Sequence, residues 1–393
     1  MIVKIDKLSH DFRGITRIND KVTFVSDTLP GEVVDIRIIN SKKNIDEAKV
    51  ISYIETSCDR VKSICPYYDM CGGCDTSYIK YDKMLEYKKD IVIDIMKRYA
   101  NIDISPDIVY DNNIYGYRNK ISLKVCNGSL GLIKEGTNEL VSISKCLLVN
   151  DSINKIIDKL NGIDLSGINE VIIYGNEEIM VIVYGDVDSQ ILTTCLKDIV
   201  SSIILNDEVI YGNEYIIIKV KDINYADYTK SFFQVNTCMI EKLYDKVKDY
   251  AGSGNRLLDL YCGAGTIGIY LSDSFDYVYG IEVNSDAVRG ANLNKEINNI
   301  DNIKFDCKKA NEIGMIEADV VVVDPPRAGL DKTTINKILS SDIEKIVYVS
   351  CNPITLARDI NLLKDKYNVV DITLFDMFPN TKHVESVVLL SLI

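Results

Sequence analysis

Residues 257–268 read LLDLYCGAGTIG, an apolar strand that runs into a glycine-rich turn and then into a helix. Gly263, Gly265 and Gly268 fit the G-x-G-x-x-G spacing, which lets backbone amides at a helix N-terminus approach a ligand. Glu282 ends the next apolar run, YVYGIEV, where a carboxylate accepts hydrogen bonds from both ribose hydroxyls of a nucleotide. This combination predicts a parallel sheet that binds a nucleoside-containing cofactor.

The same alternation of strands and helices continues to the C-terminus. The apolar runs ADVVVV and KIVYVS each precede a helical pattern, so residues 230–393 are predicted to form a doubly wound, Rossmann-like α/β domain. Asp259 and Asp324 come at the ends of two of its strands, where open α/β sheets bind ligands. The cysteine–glycine turn after Asp259 and the later DPPR sequence favour S-adenosylmethionine over NAD. Arg327 follows Asp-Pro-Pro where amine-directed methyltransferases usually have an aromatic residue, which disfavours methylation of an exocyclic amine.

Three other patterns precede this domain. Residues 1–56 contain short β-rich runs separated by turn signals, a pattern that fits an oligonucleotide-binding barrel and a structural cap equally well. Residues 81–100 have apolar side chains at helical spacing with basic residues between them, which predicts an amphipathic helix. Residues 101–229 alternate strand-like runs with polar helices and predict an α+β domain.

Composition narrows the class of protein. The 393 residues are 47% hydrophobic, and no apolar stretch approaches the roughly 20 residues that span a bilayer, so we expect a cytoplasmic protein without a membrane partner. The net charge of −13 disfavours a polyanionic partner unless local basic groups supply the contacts. The candidates for such contacts are Arg118, Lys120, Arg327, Arg358 and the helix Lys88–Arg98.

The chain has 11 cysteines and only two histidines, which argues against a disulfide framework and excludes a histidine-rich zinc site. Cys65, Cys71 and Cys74 form a C-x5-C-x2-C pattern, and three soft ligands require a fourth. An iron–sulfur cluster, an all-cysteine zinc site and unligated thiols all fit this spacing. Cys58 is near enough in sequence to compete as a ligand.

Cys351 follows the strand KIVYVS and, taken alone, fits simple core packing. It ends a strand of the same sheet as Asp324, however, and therefore faces the same crevice. A thiolate that adds to carbon 6 of a pyrimidine creates an enolate with electron density on carbon 5, and a base must later remove the proton from carbon 5. Glu385 is the candidate base, although a solvated glutamate at a strand entrance fits as well and Asp324 is an alternative base.

Six motifs of this chain resemble, in the same order, those of the RNA uracil-5 methyltransferases that act on large-subunit ribosomal RNA. The motifs are SFFQVN, DLYCGAGTIG, GIEVN, VVDPPRAGL, YVSCNP and FPNTKHVE. The resemblance covers nearly the whole chain. It implies that Cys351 is the nucleophile and Glu385 the base, and that the N-terminal barrel is a TRAM domain.

The resemblance also implies binding residues. Cofactor contacts are expected from Gln234, Tyr261, Glu282 and Asp324, in addition to Asp259, Gly263 and Gly265 of the strand and its glycine turn. Substrate contacts are expected from Phe232, Gln234 and Asp324. The fourth ligand of a four-iron (4Fe-4S) cluster with Cys65, Cys71 and Cys74 is expected to be Cys146.

The resulting expectation is a monomeric, S-adenosylmethionine-dependent enzyme that makes 5-methyluridine in 23S ribosomal RNA. Its domains are predicted as a barrel (1–56), a central iron–sulfur and RNA-binding domain (57–75 and 108–229) and a methyltransferase domain (76–107 and 230–393). One alternative is a transfer-RNA uracil-5 methyltransferase, although such enzymes generally lack the barrel and the cluster cysteines. The other is a catalytically inactive RNA-binding protein.

Overall fold

A computed structural model describes residues 1–134, 136–228 and 233–393. The N-terminal domain is a six-stranded sheet with the order β1-β5-β6-β4-β3-β2, and it encloses a small core that includes Ile5, Val25 and Val34. This arrangement confirms the predicted β-barrel. Its strands are β1 (Ile2–Lys4), β2 (Lys7–Leu8), β3 (Gly14–Ile18), β4 (Lys21–Val25), β5 (Val33–Ser41) and β6 (Ile45–Glu55).

The predicted amphipathic helix is confirmed as α1 (Tyr81–Ile95), which continues into a π-helical turn (Met96–Ala100). Its apolar face packs into the same core cluster as the C-terminal sheet and the barrel residues Leu8 and Phe12. The next strand, β7 (Asp107–Val109), pairs in parallel with residues 373–375 at the edge of the C-terminal sheet. The segment before the central domain is therefore built into the C-terminal one.

The central domain is an α+β unit, as predicted. Seven strands form one sheet with the order β10-β9-β8-β11-β12-β13-β14, and β15 and β16 form a separate hairpin. The elements are β8 (Lys120–Cys126), β9 (Ser129–Ile133), β10 (Leu140–Ser142), α2 (Asp151–Leu160), β11 (Ile168–Gly175), β12 (Ile179–Gly185), α3 (Ser189–Leu196), β13 (Ser202–Leu205), β14 (Glu208–Tyr211), β15 (Tyr215–Val220) and β16 (Ile223–Tyr228).

The C-terminal domain is the predicted doubly wound α/β fold. Its eight-stranded sheet has the order β19-β18-β17-β20-β21-β23-β22-β7. The elements are α4 (Thr237–Ala251), β17 (Gly254–Leu260), α5 (Thr266–Leu271), β18 (Phe275–Glu282), α6 (Ser285–Ile297), β19 (Ile303–Cys307), β20 (Val320–Val323), α7 (Lys332–Ser340), β21 (Lys345–Ser350), α8 (Pro353–Leu363), β22 (Tyr367–Phe375) and β23 (Glu385–Leu392).

The last hairpin of this sheet positions the C-terminal motif. The strands from β19 to β21 are parallel and covered on both faces, which explains why β20 consists of four buried valines. Strand β23 then inserts between β21 and β22 and runs antiparallel to both. Because it runs in the opposite direction, β23 begins at the edge where the parallel strands end. Among the described residues, none of the helices is both long and apolar enough to cross a lipid bilayer.

The turn between β17 and α5 requires glycine for two different reasons. Gly263 has a φ of +53° but open space where a Cβ would lie. Gly265 has a φ of +75°, and a Cβ there would lie 2.5 Å from Cζ of Phe305 and 3.0 Å from Cβ of Ala291. The second glycine therefore allows α5 to pack closely on its neighbours, whereas the first supplies only a left-handed backbone.

This difference predicts unequal costs for two single-methyl substitutions. Gly263→Ala should lower the free energy of unfolding by about 1 kcal/mol, the cost of left-handed backbone. Gly265→Ala adds a steric clash in a packed region and should cost about 3 kcal/mol. Urea denaturation of both variants checks this, and equal losses would contradict the packing argument.

Candidate active site

Four carboxylates and one thiol meet near the carboxyl edge of the C-terminal sheet. Asp259 lies near the end of β17, and Glu282 ends β18. Asp324 and Cys351 directly follow β20 and β21, while Glu385 begins β23. The structure therefore brings together residues from five strands that are up to 126 positions apart (385 − 259). Open α/β sheets bind their ligands at this edge.

The glycine turn and Glu282 form one half of this edge. The backbone N–H of Gly263 donates to Oε2 of Glu282 at 3.2 Å, and the N–H of Asn284 donates to Oε1 at 2.8 Å. These two bonds hold the carboxylate beside the turn, with the side chain still partly exposed. The open space above Gly263 adjoins it. This donor and acceptor set fits the ribose and adjacent groups of a nucleoside cofactor.

Asp259 braces the turn from below. Its side chain is fully buried, and Oδ2 accepts a hydrogen bond from the N–H of Gly268 at 2.9 Å. Burial raises the pKa of Asp259 to about 8. Its Oδ1 has no partner among the described residues. A buried oxygen without a partner is costly, and a donor from a bound cofactor would satisfy it.

Cys351 and Glu385 are adjacent because of strand register. Ser350 of β21 is paired with Ser386 of β23 in an antiparallel ladder, so the next positions outward are Cys351 and Glu385. The cysteine is half-buried, whereas the glutamate is only 3% exposed. Antiparallel pairing thus brings together two reactive groups that are 34 positions apart in sequence (385 − 351).

The environment of the site raises the pKa values of Cys351, Asp324 and Glu385. Burial raises the pKa of Cys351 to about 11, with further contributions from the Glu385 and Asp324 carboxylates, while Arg327 opposes the increase. Burial also raises the pKa of Asp324 to about 7 and that of Glu385 well above its usual value. Glu385 is therefore a strong base once ionised, and Asp324 can exchange a proton near neutral pH.

A buried ion pair holds the loop that leads to Glu385. Lys88 of α1 is 1% exposed and donates from Nζ to Oδ1 of Asp376 at 2.6 Å and to the carbonyl oxygen of Phe378 at 3.3 Å. The Tyr81 hydroxyl donates to the other Asp376 oxygen at 2.8 Å. The expectation that Lys88 contacts RNA is therefore wrong, because its ammonium group is inside the protein. Sequence reasoning missed this role, since nothing in a basic amphipathic helix reveals a distant buried partner.

The other predicted binding residues are distributed as follows. Gln234 is half-buried, and its backbone carbonyl accepts a hydrogen bond from the Asn119 side chain at 3.4 Å. Tyr261 has a φ of +63° directly before the glycine turn. Phe232 lies outside the described residues. Arg358 is bonded internally, because its Nη2 donates to the carbonyl oxygens of Ala328 at 2.9 Å and Leu330 at 3.2 Å, and it therefore braces the loop before α7.

Four of the cysteines line a cavity of about 370 Å³ between the cysteine-rich segment and the central domain, away from the carboxylates described above. These are the predicted ligands Cys65, Cys71, Cys74 and Cys146, whereas Cys58 does not line the cavity. Among the described residues, no carboxylate or imidazole lines it. The sequence pattern alone did not identify Cys146, which folding brings to the other three.

The four thiols of the cavity are not arranged as an assembled metal site within the part of the chain that the structure describes. No set of three His, Cys, Asp or Glu side chains in the described residues has the arrangement of a metal site. Burial raises the pKa of Cys74 to about 12 and also raises the pKa values of Cys71 and Cys146. An all-thiol donor set fits iron–sulfur or zinc chemistry and does not suit hard cations such as Mg²⁺.

The electrostatics of Cys351 predict opposite effects of two substitutions. Asp324→Asn removes a carboxylate that is mainly ionised at pH 8, so it should lower the pKa of Cys351 and raise its alkylation rate at pH 8 by up to about tenfold. Arg327→Gln should raise the pKa and slow alkylation by a similar factor. The measurement is iodoacetamide labelling of the Cys351 peptide, followed by mass spectrometry across pH. Shifts of the same sign in both variants would refute this assignment.

Sequence comparison gives two family matches. The tRNA (Uracil-5-)-methyltransferase model matches residues 198–320 and 309–393, and the TRAM domain model matches residues 1–51. Uncharacterized RNA methyltransferases are similar over nearly the whole chain. One from Halalkalibacterium halodurans is 31% identical over 99% of this chain and 96% of its own length, and one from Staphylococcus aureus (strain MRSA252) is 34% identical over 98% and 96%.

A solved structure is similar along the entire chain. The Pyrococcus abyssi tRNA (uracil-54, C5)-methyltransferase in complex with S-adenosyl-L-homocysteine has a TM-score of 0.84 and 28% identity, over 99% of this chain and 100% of that one. These matches agree with a glycine turn suited to a nucleoside cofactor and with a thiol beside a buried carboxylate. The chain belongs to the S-adenosylmethionine-dependent RNA uracil-5 methyltransferases that carry an N-terminal TRAM domain.

Proposed function

We propose that this enzyme methylates carbon 5 of a uridine in 23S ribosomal RNA through a covalent bond between Cys351 and carbon 6 of the uracil. The observation that carries the chemistry is the β21–β23 register, which sets Cys351 beside the buried Glu385. A uracil at this edge of the sheet would adjoin the cofactor turn. The reaction at carbon 5 needs one thiolate and one base, and both groups are present there.

The steps assign a role to each of these groups. Cys351 is mainly protonated at neutral pH, since its pKa is about 11, so its attack requires transfer of the thiol proton to a neighbouring carboxylate. Asp324, with a pKa of about 7, is the candidate acceptor. The thiolate adds to carbon 6, and the resulting enolate density makes carbon 5 nucleophilic. Bound S-adenosylmethionine supplies an electrophilic methyl group on a sulfonium centre.

Loss of the proton from carbon 5 and departure of the Cys351 thiolate complete the proposed cycle. Carbon 5 then carries both a proton and the new methyl group, and Glu385 removes that proton. The electron pair of the broken C–H bond re-forms the double bond between carbons 5 and 6, and the Cys351 thiolate leaves. Glu282 and the amides of the glycine turn would hold the cofactor, with Gln234 and Tyr261 as further contacts. Phe232 and Gln234 are the proposed contacts of the target base.

Blocking the release step should trap the covalent intermediate. Glu385→Gln should lower turnover by about 10²- to 10⁴-fold and accumulate a protein–RNA adduct that already carries the methyl group. Asp324→Asn should instead reduce adduct formation, because it acts before the attack. Denaturing electrophoresis and mass spectrometry of the attached peptide and nucleotide check both outcomes. A methylated adduct with Asp324→Asn and none with Glu385→Gln would reverse the two roles.

Transfer RNA is the second candidate substrate, and one finding favours it. The Pyrococcus abyssi transfer-RNA enzyme aligns over its full length with this chain, including the barrel. The barrel therefore does not separate the two substrate classes, contrary to the sequence-based expectation. The support for 23S ribosomal RNA is the resemblance of the six ordered motifs, together with the four cysteines that line one cavity.

A direct comparison of substrates tests this proposal. Wild-type enzyme and methyl-labelled S-adenosylmethionine should label unmodified 23S ribosomal RNA, while a transfer-RNA transcript remains at background. Nucleoside analysis should show 5-methyluridine as the product. Labelling of the transfer RNA alone would establish the second candidate instead.

We further propose that Cys65, Cys71, Cys74 and Cys146 hold a four-iron iron–sulfur cluster with a structural role. All four thiols line one cavity, and no carboxylate or imidazole among the described residues shares it. Burial raises the pKa of Cys74 and so favours its protonated thiol, whereas metal binding requires thiolates. Cluster assembly should therefore release protons.

Iron content tests the ligand set with a matched cysteine control. Cys146→Ser should lower the iron and sulfide content of anaerobically purified protein by several-fold, because one of four ligands is lost. Cys58→Ser should leave both unchanged, since Cys58 is exposed and lies outside the cavity. Retention of zinc instead of iron by the wild-type protein would favour a zinc site.

A further inference from the structure

A cavity of about 200 Å³ lies between the barrel and the loop that leads to Glu385. Its walls come from three distant parts of the chain. His10 and Phe12 belong to the turn between β2 and β3, Lys88 belongs to α1, and Cys351 and His383 belong to the C-terminal domain. We call it the barrel cavity. Because Cys351 lines it, any ligand there would adjoin the nucleophile.

The barrel cavity is separate from the proposed cofactor site. Gly263, Gly265 and Glu282 do not line it, and neither do the carboxylate residues Asp324 and Glu385. A uracil held between the cofactor turn and Cys351 would therefore leave the barrel cavity free. The space must accommodate something else or remain filled with water.

The charge of the walls favours an anion. The lining residues include three cationic side chains, Lys88, Arg327 and Lys382, and one acid, Asp11. Within the described residues, Lys88 and Lys382 are paired with carboxylates, whereas Arg327 has none within ion-pair distance. This local excess of positive charge occurs in a chain with a net charge of −13. A phosphate group matches an unpaired guanidinium.

Arg327 is held in place for such a contact. Its carbonyl oxygen accepts hydrogen bonds from the Asn352 side chain at 3.0 Å and from the Thr355 hydroxyl at 3.2 Å, at the start of α8. Its Nη2 lies 3.4 Å from both ring nitrogens of His383, so the guanidinium faces the ring and does not point at a single nitrogen. Burial and the nearby Arg327 charge lower the pKa of His383 to about 4, which leaves the ring neutral at pH 7. The local positive charge therefore belongs to Arg327.

The barrel turn places His10 at the wall of the same cavity. Phe12 is 4% exposed and packs in the core shared with α1, although its φ is +61°. Asp11 is fixed by Arg13 at 2.7 Å and also accepts a hydrogen bond from Ser9. Lys7 pairs with Asp94 of α1 at 2.9 Å. These contacts anchor the turn to α1, while His10 remains exposed at its tip.

We propose that the barrel cavity binds the RNA nucleotide next to the target uridine, with its phosphate at Arg327 and its base against His10. The proposal rests on the proposed function, since it takes the nucleotide at Cys351 to be the target. A single-stranded nucleotide combines a phosphate with a base that stacks on a planar side chain, and the walls supply a partner for each. In this proposal the barrel forms part of the catalytic pocket and orients the target uridine through its neighbouring nucleotide.

Protection of Cys351 from alkylation tests the proposal without requiring turnover. The probe is the trinucleotide uridylyl-uridylyl-uridine, compared with uridine alone, and the readout is iodoacetamide labelling of the Cys351 peptide. The wild-type protein should be protected at lower concentrations of trinucleotide than of uridine. His10→Ala should require about five- to tenfold more trinucleotide but the same uridine concentration, because only the neighbouring base is lost.

Two controls separate this effect from misfolding and from general RNA affinity. Lys43→Ala changes an exposed barrel residue outside the cavity and should be protected like the wild-type protein. Binding of S-adenosylmethionine by His10→Ala, measured by calorimetry, should be unchanged. Equal protection by trinucleotide in wild-type and His10→Ala protein overturns the cavity assignment, and so does protection by trinucleotide that is no stronger than protection by uridine.

The methylation assay distinguishes failure of this inference from failure of the proposed function. Methylation of RNA by the wild-type enzyme, without a His10 effect on protection, overturns the cavity assignment alone. Protection that depends on His10, without methylation of either 23S ribosomal RNA or transfer RNA, overturns the proposed substrate and supports nucleotide binding in the cavity.

Discussion

The buried ion pair between Lys88 and Asp376 is the constraint on which the arrangement of the active site depends. Neither side chain is exposed, so each charge relies on the other for the stabilisation that water would give. Removing one partner of such a pair typically costs about 3–5 kcal/mol. Asp376 directly follows β22 and opens the loop that ends at Glu385. The pair therefore fixes α1 to the segment that carries the proposed base.

Residues from three further parts of the chain hold the same loop. The Tyr117 hydroxyl donates to the carbonyl oxygen of Pro379 at 3.0 Å, and the Asn236 side chain donates to that of Met377 at 3.0 Å. Asp75, directly after the predicted ligand Cys74, donates its N–H to the carbonyl of Asn380 at 3.2 Å. The cysteine-rich segment, the central domain and the C-terminal domain thus converge on one short loop. A rigid loop suits a reaction in which thiol, base and substrate must align.

The chemistry of the site follows from its exclusion of water. Burial raises the pKa values of Asp324, Cys351 and Glu385 because each charged form loses its hydration. The raised pKa therefore keeps Cys351, the proposed nucleophile, in the unreactive thiol form in the free protein. In the proposed mechanism, activation of this thiol depends on proton transfer when the substrate is bound. Arg327 is the nearby cation that favours the thiolate, and it also faces the barrel cavity.

Much of the fold and part of the site was predictable from local pattern. The strand, glycine turn and helix at residues 257–268 are a local signal, because the required φ angles depend on residues in that segment. The continuous valines of β20 likewise indicate a sheet covered on both faces. The barrel, the α+β domain and α1 were predicted for the same reason. Domain boundaries were less evident, since β7 looks like a connector in sequence and becomes an edge strand only when it pairs with β22.

The sequence by itself determined the reactive groups and the strand ends that carry them, since residue type and hydrophobic period are local properties. Only the tertiary structure decided which groups meet. Antiparallel insertion of β23 sets Glu385 beside Cys351, and folding brings Cys146 to three cysteines more than 70 positions away. Folding also buries Lys88 and places His10 and Cys351 at one cavity. These outcomes depend on long-range pairing and burial, which no window of neighbouring residues contains.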